Sequence, residues 1–289
     1  YVSTTGDDIA GDGSEGNPWR SITRGMLAAA SGDRILVAAG TYDSFHGESF
    51  PIVVKDGVAV QGSLTGISTV DGENVFVPLM VVTDNAQPTV LQRLRFDGEV
   101  NILEVFGNPA DFQVLDCVFL GGRKALNHSS AGGPAVLTFD RNVIMGMDED
   151  GVNWEATDTG GSTHTLRLRD NRLLGKALSL HGVRVAASGE VNVALDLSRN
   201  HVENYGICFA AEVDASTSSA GVTGEVAGNE FRKADDEGML VELTASGVAP
   251  SVATFSAVVR HNSVTKNGKD GARLALSAFC THHPDWLWA

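Results

Sequence analysis

Cysteine is scarce in this chain. Three residues among 289 are too few, and odd in number, for a disulfide framework. One of them, Cys117, falls in an inward-facing column described below and is expected as a buried free thiol. Long apolar runs are missing too: none approaches the roughly 18 residues of a membrane-spanning helix, so no span is expected. Positive charge is short, with 21 Lys and Arg against 36 Asp and Glu and a formal net charge of −15. That balance argues against nucleic acid and anionic membrane surfaces as partners, and against a polyanionic ligand unless a cation bridges the two. Proline is sparse at eight residues, while glycine is plentiful at 33, which suits many tight turns. The chain opens on Tyr1 without Met, which fits a removed leader or a trimmed chain equally well.

What is present is a repeat. Seven segments superimpose: Leu91–Gly98, Val114–Gly121, Phe139–Gly146, Leu168–Gly175, Leu197–Asn204, Val226–Lys233 and Val259–Lys266. One column within them reads Leu94, Cys117, Asn142, Asn171, Asn200, Asn229, Asn262, in steps of 23, 25, 29, 29, 29 and 33 residues. Three places earlier stands Leu, Val or Phe every time, and two places later Phe, Ile, Leu or Val. Such a period implies stacked coils, each burying its apolar face against its neighbours. Upstream of each Asn the apolar residues alternate, as at Leu137 and Phe139 or Leu166 and Leu168, the period of a strand with one face inside. After each Asn comes a Gly followed by an apolar residue, at Gly151, Gly182, Gly206, Gly238 and Gly271, opening another short alternating run. Each coil therefore holds at least two strands, a tight turn at the Asn and a Gly-marked bend. Strands of successive coils pair in parallel, and the usual hand of parallel crossovers makes the winding right-handed.

The Asn column has a physical cause. A buried turn leaves backbone groups without ladder partners, and Asn carries both a donor and an acceptor to satisfy them. Asn also tolerates the left-handed conformation such a turn needs, and is expected to supply it. The expected fold is all-β: a single-stranded right-handed parallel β-helix, or solenoid, with a short N-terminal capping helix. It forms one domain over residues 1–289. Residues 1–45 are the N-terminal cap and first strand, 46–90 irregular first coils, 91–275 regular coils, and 276–289 a tail or cap. The capping helix is read over Ser21–Ser31, with Ser21 as N-cap, because an open solenoid end exposes strand edges that need cover. In the tail, His282 and His283 read as flexible, and Trp286 and Trp288 as packing over the last coil.

The opening order YVSTTGDD, DGSEGNPWRSITRGMLAAASGDRILVAAGTYD, then GESFPIVVKDGVAVQGS resembles that of exported bacterial right-handed parallel β-helix proteins. In particular it is similar to a domain-of-unknown-function family found at the start of many such proteins. The later N-x-[IVLF]…G-[VIM] units resemble the parallel β-helix repeat of the pectin-lyase-like superfamily. The resemblance implies an extracellular, cell-surface or periplasmic protein. It is specific for fold and nearly silent on activity, because lyases, hydrolases, tailspikes, adhesins and inert scaffolds share this architecture. Lyases of the superfamily use a Lys or Arg base beside a substrate carboxylate, often with Ca²⁺ held by acids. The hydrolase motifs NTD and GHG are absent, and Asp235-Asp236 lies in a polar turn without companions.

One constellation can carry chemistry. Aligned on the Gly column, Asp150, His181, Tyr205, Glu237 and Asp270 stack, then Asn153, Arg184, Cys208, Leu240 and Arg273 facing outward, then Glu155, Ala186, Ala210, Glu242 and Ala275. Coils about 4.8 Å apart place Asp150, Glu155, His181 and Arg184 in one patch. His181 and Arg184 are the catalytic candidates, the first to move a proton and the second to neutralise a sugar carboxylate. Asn153, Glu155 and Arg184 are the substrate-binding candidates. Asp148, Asp150 and Glu155 offer hard oxygens to Ca²⁺, although MDEDGVNWE has no recognised Ca²⁺-loop order. His128, His164, His201 and His261 read as single, structural residues. The expected function is an exported surface module in non-catalytic interaction with a polysaccharide or cell-surface glycan, requiring no cofactor. The alternative is a polysaccharide lyase acting on uronate-containing polysaccharide, with Ca²⁺.

Overall fold

The computed structural model describes residues 1–72, 75–130, 132–215, 218–247 and 251–280. The expected tail residues His282, His283, Trp286 and Trp288 lie outside the described residues. Strands pair in parallel from coil to coil, and each coil visits three sheets in turn, where the sequence implied at least two strands per coil. Sheet 1 holds Arg34–Val37, Ala59–Gly62, Thr89–Gln92, Phe112–Leu115 and Val136–Asp140, then later strands up to Ala253–Arg260. Sheet 2 is a nine-stranded ladder from Gly40–Tyr42 to Ser263–Thr265. Sheet 3 runs from Ile52–Val54 through Met80–Val82, Leu103–Phe106 and Leu126–Ser129 to Ala272–Cys280. The 18-residue strands Val152–Arg169 and His181–Ser198 run through the corner from sheet 3 into sheet 1 without a break. The fold is a parallel β-helix with one short helix at its N-terminal end.

The repeat columns become the core. Leu91, Val114, Phe139, Leu168, Leu197 and Val226 are buried, as are Phe96, Phe119, Ile144, Leu173, Val202 and Phe231. Stacked coils put like residues over one another: the Phe96 and Phe119 rings lie 5.0 Å apart and Phe119 and Phe139 5.6 Å apart. Burial also pushes the thiols of Cys117 and Cys208 up to about 12, so both are inert.

The Asn column is a continuous hydrogen-bonded ladder. Asn142, Asn171, Asn200 and Asn229 are buried. Each side-chain oxygen accepts the backbone N–H of the column residue one coil earlier, at 2.9 Å from Cys117 to Asn142 and 3.0 Å from Asn171 to Asn200. Each Nδ2 donates to a carbonyl of the preceding coil, Val114, Phe139, Leu168 or Leu197, at 2.7–2.9 Å. Cys117 performs the donor half of this task with its thiol, which reaches the carbonyls of Leu115 and Leu91 at 3.3 and 3.8 Å. One expectation is corrected here. The left-handed residue is the one before the Asn: Arg93, Asp116, Arg141, Asp170, Arg199, Gly228 and His261 have φ of 53° to 65°. The strain of the turn falls on an outward side chain, which leaves the Asn free to point inward.

Three histidine expectations change. His128 stacks on Trp154 with centroids 3.5 Å apart, and His164 meets both rings edge-on inside the solenoid. His201 is not isolated either: its two nitrogens face Glu230 at 2.8 Å and Glu203 at 3.0 Å.

The N-terminal helix spans Ile22–Ala28, with Ser21 as N-cap accepting from Arg24 N–H at 3.0 Å. Glu48 closes the same end: its carboxylate accepts from Ile22 N–H at 2.7 Å and Thr23 N–H at 2.8 Å. Ile22 and Met26 join the hydrophobic core, and the helix touches the first strands of sheets 1 and 3.

Candidate functional site

Sheet 3 positions the candidate residues. Its strands pair Glu104 with Asn127, Asn127 with Asn153 and Asn153 with Arg184, all pointing away from a core of Leu103, Leu126, Val152 and Val183. The side chains link up. Asn127 Nδ2 donates to Glu104 Oε1 at 2.6 Å, Asn153 Nδ2 donates to Asn127 Oδ1 at 2.8 Å, and Arg184 Nη1 donates to Asn153 Oδ1 at 3.0 Å. Asn153 is 1% exposed, so it lies beneath the surface and positions its neighbours.

Arg184 is held from two sides. Its Nε and Nη2 donate to Glu212 at 2.9 and 2.6 Å in a two-point pair, and its Nη1 donates to Glu155 at 2.6 Å. The hydrogen bonds it donates to Glu212, then the one to Glu155, drive its pKa above the ordinary guanidinium value. Burial pushes the Glu155 carboxyl up, but Arg184, Asn153 and Lys124 together outweigh this and hold it below the usual range. One guanidinium against two carboxylates leaves the trio net negative.

Glu212 is the residue that sequence alignment missed. The strand Ile207–Asp214 pairs His181 with Ile207, Arg184 with Ala210 and Ala186 with Glu212. Alignment on Gly206 places Cys208 beside Arg184 and Ala210 in the next column, two residues out of the observed register. The residues that this alignment puts in the three columns are interior: Tyr205 and Ala210 are buried, and Cys208 directs its sulfur to the Val202 carbonyl at 3.4 Å. The signal for Glu212 was its place as the first charged residue after the apolar run Ile207–Ala211.

His181 belongs to a separate contact. Its Nδ1 lies 2.9 Å from Oδ1 of buried Asp150, and Lys124 Nζ lies 3.3 Å from the other oxygen. Burial raises the Asp150 pKa, yet His181 and Lys124 together hold it below the usual carboxylate range. Of the Ca²⁺ candidates, Asp148 pairs with Lys176 at 2.6 Å, Asp150 with His181 and Lys124, and Glu155 with Arg184. No group of three His, Cys, Asp or Glu side chains suited to a metal ion occurs among the described residues. The patch therefore divides into an Asp–His–Lys contact and a clamped Arg on an amide ladder.

Comparison with known proteins agrees with this architecture. Residues 4–94 match the model of a protein family of unknown function, DUF1565. No curated protein sequence matches the chain. Among solved structures, the chain is similar to XylC in complex with xylose, at TM-score 0.52 and 9% identity over 94% of this chain and 69% of that one. It is also similar to the GH136 lacto-N-biosidase from Eubacterium ramulus, at TM-score 0.47 and 8% identity over 96% of this chain and 67% of that one. A third is the pectate lyase Pel9A, at TM-score 0.42 and 13% identity over 92% and 78%. At 9% identity the likeness to XylC is one of fold. A parallel β-helix that opens with a DUF1565 segment is the combination implied by the N-terminal signature and the Asn repeat.

Proposed function

We propose that this chain is an exported surface module that holds carbohydrate along the outer face of sheet 3 without cleaving it. The carrying observation is the clamp on Arg184. A lyase base must lose its proton before it can take one, and Glu212 and Glu155 bind the charged form of this guanidinium. The same carboxylates oppose a uronate that would approach it. Glu104 and Asn127 of one row and Glu155 of the next offer amide and carboxylate groups that hydrogen-bond sugar hydroxyls. Phe106, 46% exposed and in one column with Ser129 and Glu155, adds an apolar platform for a sugar ring. A neutral glycan suits this face better than a polyuronate. The xylose complex of XylC supports the choice of xylo-oligosaccharide as the first probe. The reading requires no cofactor and involves neither nucleic acid nor a membrane span.

The Asp150–His181 contact favours the second reading, a polysaccharide lyase on uronate-containing chains, because a buried carboxylate at Nδ1 orients the imidazole as a base. Calorimetric titration with xylohexaose and with polygalacturonate, followed by product analysis, separates the two. The first reading expects xylohexaose to bind, Phe106→Ala to weaken it, and neither polymer to be shortened. Absence of binding by both, or accumulation of cleaved ends, would overturn it.

A further inference from the structure

The left-handed residues at the corner between sheets 1 and 2 carry a charge pattern of their own. The column reads Arg93, Asp116, Arg141, Asp170, Arg199, Gly228, His261. Twice an acid is clasped by the base one coil later. Arg141 Nε and Nη2 donate to Asp116 Oδ1 and Oδ2 at 2.7 and 3.0 Å. Arg199 repeats the arrangement on Asp170, at 2.7 Å on both oxygens. The third pair has its base, His261, but Gly228 stands where its acid belongs.

The backbone does not demand glycine there. Gly228 has φ 65°, close to the 54° of Asp116 and the 58° of Asp170. A Cβ at Gly228 would meet only Arg199 Cγ, at 3.6 Å, an ordinary contact. Gly228 lines an open notch of about 310 Å³ together with Arg199, Arg260, His261, Ser198, Asp196 and Glu225. Arg199 is engaged by Asp170, and Arg260 by Glu225 at 2.6 Å. His261 is the lining base without a carboxylate among the described residues.

We infer that this notch binds a small carboxylate, free or carried on an acidic sugar, in the place of the absent Asp side chain. The column itself identifies the chemistry, since the group clasped at both equivalent positions is a carboxylate. His261 supplies the direct partner; Arg199 and Arg260 are already held by Asp170 and Glu225, and Asp196 also lines the notch, so the anion is taken through the vacant position of the column's pattern and not through net positive charge. The site lies on a different corner from the sheet 3 face and stands or falls independently of carbohydrate binding there.

The test follows the His261 imidazole by NMR during titration of the intact chain with acetate, with D-galacturonate and with D-galactose as a neutral control. The carboxylates should shift His261 saturably and galactose should not. A response to galacturonate alone assigns the acidic sugar as source, and a response to both assigns any small acid. Gly228→Asp should fold normally, with a thermal midpoint equal to or above that of the parent, and abolish the response by placing its own carboxylate beside His261. By calorimetry His261→Gln should weaken binding at least about tenfold, the scale of one charge-assisted hydrogen bond. No saturable shift with either carboxylate, or an undiminished response in a folded Gly228→Asp, would overturn the inference.

Discussion

At the scale of single residues, direction decides value. Asn200 and Arg199 are adjacent, yet one points into the solenoid and the other out. Asn200 donates to the carbonyl of Leu168 and accepts from Asn171, both inside. Replacing it with Leu leaves those groups unpaired and should cost about 1–3 kcal/mol. Arg199 is solvent-exposed and pairs with Asp170 on the surface, where salt and water screen the gain. Arg199→Ala should leave the urea midpoint almost unchanged, so equal midpoints for the two variants would contradict the ladder. His128 sets a pH dependence. Burial lowers its pKa from 6.5 to about 3, so the unfolded chain takes up the proton first. The stability of the neutral form is present above about pH 6.5 and drains away as pH falls toward 3. Urea titrations across that window should show a steeper loss for the parent than for His128→Leu, and parallel curves would remove His128 as the cause.

At the scale of elements, the N-terminal helix is a cover for strand edges. Deleting residues 1–31 removes the helix that carries Ile22 and Met26 into the core. The first strands of sheets 1 and 3 then lose their cover, and edge pairing between molecules should follow. Sedimentation should show concentration-dependent association; a monomer of unchanged stability would mean that the helix caps nothing. Ser21 was legible as its N-cap because the side chain and its N3 partner are local. Glu48, 26 residues from Ile22, was not, because nothing in the sequence ties that carboxylate to the helix. The same distinction explains the register error on sheet 3. From Asn142 to Asn229 the Asn repeat keeps a constant step of 29 residues, and its ladder could be aligned by eye. From His181 to Ile207 the step is 26 residues, against the 24 implied by Gly182 and Gly206. A slip of two residues preserves the alternation of inward and outward side chains, so periodicity cannot detect it. Only the hydrogen bonds of the folded sheet bring Glu212 to Arg184.

At the scale of the whole molecule, the chain is a stack whose interior is repetitive and whose outer faces differ. The interior was readable because every coil must meet the same demand for apolar packing and satisfied turns. The outer face of sheet 3 was readable only in part. Asp150, Glu155, His181 and Arg184 do share adjacent coils, but which acid holds which base depends on register and on side-chain reach. On the function proposed above, Arg184 serves the scaffold. The most direct measurement is the absorbance of unsaturated ends during incubation with polygalacturonate, with and without Ca²⁺, for the parent and for Arg184→Ala. The clamp predicts no new absorbance from either protein in either condition. Cleavage by the parent that disappears in a folded Arg184→Ala variant would contradict it.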